Sequence, residues 1–198
     1  MLFTNLSPAL PIPAGRVAWY VTGRFYATAE GSTQDLGYFL HVEGIAADLF
    51  TGPIGEANAL LTFRSTPFTA QTLTNGDLAL SLDPAGDFSV YLNRPGTGKS
   101  SPSFDDPDSF SQGERVATFR RTGVVLGTTL TGPKVAANTF SAVPVESVPF
   151  ELGGTIYDFA KHLPDGITQW GTASTTLLPP VGLFTTVVPF VGSAIKVG

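Results

Sequence analysis

The chain of 198 residues predicts an all-β protein, an antiparallel and mostly up-and-down β-barrel of about eight to nine strands. Three observations carry this. Apolar and polar residues alternate with period two along several runs, which is the strand signal because successive side chains leave opposite faces. Glycine (22) and proline (16) recur at short intervals, so the runs are punctuated by turns. Connections in series suit a meander, and with no cysteine the chain lacks the Cys–Trp–Cys pattern of an immunoglobulin sandwich.

Residues 76–93 give the clearest signal. Leu78, Leu80 and Leu82 alternate with small or polar residues, as do Phe88, Val90 and Leu92. Pro84, Ala85 and Gly86 between them predict a three-residue turn, with Leu82 opposite Phe88 and Leu78 opposite Leu92.

From the start of the chain, residues 1–15 contain three prolines and read as an extended arm, with a single barrel domain over 16–198. Residues 16–30 form a long strand with Val17, Trp19 and Val21 on one face and a bend at Gly23. Residues 36–46 form the second strand, which places His41 and Glu43 on the same face. The third, 56–64, sets Glu56, Asn58, Thr62 and Arg64 against Ala57, Ala59, Leu61 and Phe63. A loop over 94–112, rich in Gly, Pro, Ser and Asp, is long enough to act as a lid. Further strands are expected at 114–122 with 124–129, at 135–148 and at 167–178, a short helix at 155–162, and a last strand or plug at 181–197.

Composition narrows the function. Charged residues are 14%, below the typical value of about 25%, so few remain to cover the outside of a monomer. The apolar tail at Leu183, Phe184, Val187, Val188, Phe190 and Val191 adds to the expectation of a homo-oligomer, most simply a dimer. A net charge of −5 with no basic block argues against nucleic acid. The first 15 residues hold no basic residue and no long apolar run, and no segment reads as a membrane helix, so the expected location is cytoplasmic.

Motifs that catch the eye lack their context. Gly96-Thr97-Gly98-Lys99-Ser100 has Asn93 where a phosphate loop needs its first glycine, and Ser101-Pro102 where a helix would open. Asp105, Asp106 and Asp108 lack the spacing of a calcium loop. Two histidines exclude a three-His metal site and leave few ways to build a Ser/His/Asp triad. No metal and no cofactor is therefore expected.

The strand count and the segment Gly113-Glu114-Arg115-Val116-Ala117-Thr118-Phe119-Arg120-Arg121 resemble the calycin-like barrels that include the allene oxide cyclase and dirigent families. That resemblance implies an apolar small molecule held in the barrel and a cyclisation or isomerisation steered by few polar groups; no functional residue of those families aligns with this chain. On this reading the acid, base and orienting groups are His41, Glu43, Glu56, Tyr91 and Arg120. Trp19, Asn58, Phe63, Arg64, Phe104, Phe110 and Trp170 would contact the ligand, with Phe104 and Phe110 on the lid. A lipocalin-like carrier and a structural or assembly protein are the alternatives. The state of the lumen separates them: open with polar groups, open without them, or filled.

Overall fold

The first and last strands of the barrel meet. In the computed structural model, which describes residues 10–198 except 77, 84–85, 97–99, 131–134 and 175, β1 (Val17–Thr28) pairs antiparallel with β12 (Phe184–Lys196) from Val17↔Ile195 to Thr28↔Phe184. Between them run β2 (Thr33–Val42), β3 (Leu61–Ser65), β6 (Asp87–Leu92), β7 (Glu114–Leu130), β8 (Val135–Ser147) and β11 (Ile167–Ser174), each beside the next. The result is a closed antiparallel barrel of eight strands. The expected last strand at 181–197 is thus the one that seals the barrel.

Two insertions depart from the plain meander. The first holds β4 (Gln71–Asn75) and β5 (Leu78–Asp83). The hairpin predicted around residues 84–86 does not form: β5 and β6 do not pair with each other but lie end to end along β7, from Leu78↔Leu130 to Leu92↔Glu114. The reversal comes earlier. Pairing runs in one register from Leu61↔Leu92 to Ser65↔Phe88 and resumes unslipped from Gln71↔Leu82 to Asn75↔Leu78. Gly76, at φ 59°, turns this long hairpin, a conformation L side chains resist. The expected turn residues Pro84 and Ala85 lie outside the described residues.

The second insertion closes one end. β9 (Phe150–Leu152) pairs with β10 (Thr155–Tyr157), and a single helical turn, α1 (Phe159–His162), follows. Helix is thus confined to the end of the predicted 155–162 segment. Asp158 caps it, accepting from the Ala160 N–H at 3.0 Å and from the Ser147 hydroxyl at 2.6 Å. Phe159 is buried below the barrel strands against Phe39, Phe119 and Phe150. The segment before β1 straps across this end: the Ile12 N–H donates to the His162 carbonyl, and Ile12 is buried.

Inward-facing side chains fill the barrel. Trp19 meets Phe39 and Phe119 edge-on at 5.5 Å between ring centres, Phe88 stacks on Phe119 at 5.2 Å, and Phe63 and Phe25 lie against Phe190. Aromatic pairs favour these offset and edge-to-face arrangements. The strand predicted over 56–64 begins late, because residues Glu56–Asn58 form a short 3₁₀ turn. No described helix is long and apolar enough to cross a membrane.

Candidate functional site

The lumen is packed with side chains of the main core. A void of about 10 Å³ remains between Trp19, Val21, Asp35, Phe39, Phe63, Phe88, Phe140 and Gln169, which is space for roughly one water. Trp19 and Phe63, expected to touch ligand, belong to this packed interior, and the Trp19 indole N–H donates to Gln169 Oε1 at 3.0 Å.

Two charges are buried inside the barrel. Arg121 Nη2 sits 2.8 Å from Asp35 Oδ1, with both side chains under a tenth exposed. The guanidinium lies over the Phe140 ring at 4.9 Å and near Phe68 and Phe88, while its Nε has no hydrogen-bond partner. Sequence reading chose the neighbour. Arg120 points outward to Asp87, where their hydrogen bonds raise its pKa, and so takes no part in the lumen.

The other proposed acid, base and orienting groups do not converge. His41 Nε2 and Glu43 Oε2 are 3.3 Å apart on the exposed rim, and Arg16 reaches the other Glu43 oxygen at 3.1 Å. Glu56 stands in the 3₁₀ turn. Tyr91 is on the face of β6 opposite Val90 and Leu92, which enter the core. Trp170 is 58% exposed on the outside of β11. Among the described residues no group of three or more His, Asp or Glu is placed to hold a metal.

Residues 100–112 of the expected lid are fixed to the barrel wall instead of covering a mouth. Phe104 and Phe110 are buried with Tyr26, Leu36, Tyr38 and Val187 in a second apolar cluster, separate from the lumen. The Tyr26 hydroxyl donates to the Phe104 carbonyl and the Thr62 hydroxyl to the Phe110 carbonyl, each at 2.7 Å. Arg64 holds Asp108 at 2.7 Å and also donates to Gln34, so the polar stripe of β3 is the anchor for this loop. Burial pushes the Tyr26 hydroxyl up to about 12.

An open groove of about 310 Å³ lies where β3 begins and β6 gives way to β7. Its floor is Ala59, Leu60 and Leu92; Asn58, Asn93, Ser101 and Glu114 supply polar groups. These are held in place. Asn58 donates to the Pro53 carbonyl at 2.8 Å, and Asn93 donates through its side chain to Thr62 at 3.0 Å and through its backbone N–H to the Leu60 carbonyl. Gly113 fits here because a Cβ would come within 2.7 Å of Asn93 Oδ1 and of the Leu92 carbonyl. Arg94 lies 3.5 Å from Glu114 and donates to the Glu151 carbonyl. Of the expected contact residues only Asn58 lines this groove. Asn93, Arg94 and Glu114 were not singled out, and no local motif marks them: the fold alone brings 58, 93 and 114 together.

The fold and interior define the class of protein: a closed up-and-down β-barrel with a packed lumen and an open recess of about 310 Å³ on the outside. Comparison with protein-family models, with curated proteins and with solved structures gives no match.

Proposed function

We propose that this barrel is a non-catalytic binding module that takes a small molecule in the groove beside Asn58 and Asn93, outside the lumen. One contrast carries the reading: about 310 Å³ of open groove against about 10 Å³ inside the barrel. Ligand sites start near 300 Å³ and combine an apolar surface with a few positioned polar groups. Leu60 and Leu92 supply the apolar floor, the two amides and Ser101 the donors and acceptors. The ligand class that fits is a neutral, hydroxyl- or amide-bearing compound with one apolar face. The eight-strand meander supports kinship with calycin-like barrels. The groups proposed for cyclisation, which that kinship implies, do not converge in the lumen, so the outer groove is the better supported place for a ligand.

Ligand-observed NMR tests this with maltose, inositol and N-acetylglucosamine as hydroxylated probes and laurate as an apolar control. At least one hydroxylated probe should bind, and Ser101→Trp, which fills the groove from its rim, should abolish that binding with the melting temperature unchanged. Binding of laurate alone, or probe binding that survives Ser101→Trp, overturns the proposal.

A further inference from the structure

We infer that β4 is the contact strand of a two-fold homodimer, in which the β4 strands of two copies pair antiparallel about Leu73. Among the described residues of the ten-stranded sheet, β4 alone has a single neighbour, β5; every other strand is paired on both sides. All five of its residues are exposed, and Leu73 is 54% exposed. An edge of this kind presents unpaired backbone N–H and C=O groups, and proteins that must avoid pairing block it with Lys, Pro or a bulge. Gln71-Thr72-Leu73-Thr74-Asn75 contains none of these.

The sequence of the strand selects a second copy as the partner. Read in either direction it is amide, threonine, leucine, threonine, amide. Antiparallel self-pairing therefore sets Gln71 against Asn75, Thr72 against Thr74 and Leu73 against itself. Threonine pairs and apolar pairs directly opposite each other stabilise a sheet. Such an interface is isologous, as closed dimers require. Copies of a chain with net charge −5 repel one another, and the strand where they would meet adds no charge to that repulsion. A joint of five residues per copy is short, so dimerisation should depend on concentration. This inference is independent of the groove, which lies at the opposite end of β3 and β6.

Sedimentation velocity on the full chain across a concentration series tests it, using paired charge variants. The wild-type chain should pass from monomer to dimer. Thr72→Lys with Thr74→Lys sets lysine opposite lysine at both sites and should weaken self-association by at least about tenfold. Thr72→Glu with Thr74→Glu should do the same, and an equimolar mixture of the two variants should restore the dimer, with lysine facing glutamate. Both variants change exposed positions, so circular dichroism and melting temperature should match wild type. A wild-type chain that stays monomeric at every concentration overturns the inference. So does a dimer that persists in both variants, which would place the contact elsewhere, for instance at the exposed Trp170 and Val191.

Discussion

Arg121 and Asp35 form an ion pair at 2.8 Å inside the barrel, joining β7 to β2 across the lumen. Burying two charges costs desolvation, and removing one partner leaves the other uncompensated. Arg121→Met or Asp35→Leu alone should destabilise by about 3–5 kcal/mol, and the double variant by less than the sum. Urea unfolding of the four proteins measures this directly. Arg120→Met, one residue away and exposed, should shift the midpoint far less.

Phe110 and Tyr26 pin residues 100–112 to the barrel wall. Phe110→Ala should cost about 3–5 kcal/mol, the price of emptying a buried aromatic site. Tyr26→Phe loses only the hydrogen bond to the Phe104 carbonyl and should cost about 1 kcal/mol. A mobile lid would instead leave both variants as stable as wild type in thermal melts.

His162 makes stability sensitive to acid. Burial lowers its pKa from the ordinary value of 6.5, with the Asp158 charge opposing. The unfolded chain therefore binds this proton more readily than the folded one. The contribution is complete above about pH 6.5 and is lost as pH falls through the lower folded value. Denaturant midpoints measured from pH 8 to pH 5 should fall in wild type, and the fall should be shallower in His162→Gln. Equal slopes would assign the effect to another group.

The two tryptophans report opposite environments, since Trp19 is 1% exposed and Trp170 is 58% exposed. Trp170→Phe should leave a blue-shifted emission that acrylamide barely quenches. If the remaining emission is red-shifted and freely quenched, the lumen is not packed as described.

Strand periodicity made the barrel legible because alternation is a local property, and each inward run such as Trp19–Val21 or Val90–Leu92 is buried in the core. Pairing was less legible. Pro84-Ala85-Gly86 looked like a turn, while the strands already reverse after Gly76, whose positive φ suits a hairpin turn. The sequence does not mark Arg121 as the buried arginine, because two adjacent arginines look alike until the partner that holds one of them inside is known. That partner, Asp35, is 86 residues away. The tail looked like a subunit contact for a similar reason: Phe190 is consumed within the barrel and Val187 in the cluster with Phe104 and Phe110, while Leu183 and Val191 are left outside. The groove was invisible because its residues become neighbours only after β3, β6 and β7 align.

Seven of the eight barrel junctions join strands that follow one another along the meander, and only the β1–β12 junction spans the whole barrel. Loop-closure entropy for that last junction is met only after every other strand exists. On the ribosome, β1 therefore emerges first and waits with an unsatisfied edge until β12 is made. The same junction brings the start of β1 beside the end of β12, where the Lys196 N–H donates to the Arg16 carbonyl. A circular permutant that links these ends and opens the chain at Gly76 would make this contact local and pass the barrel-spanning closure to the β3–β6 and β4–β5 pairs, so pulsed hydrogen exchange should find those pairs, not β1–β12, protected last.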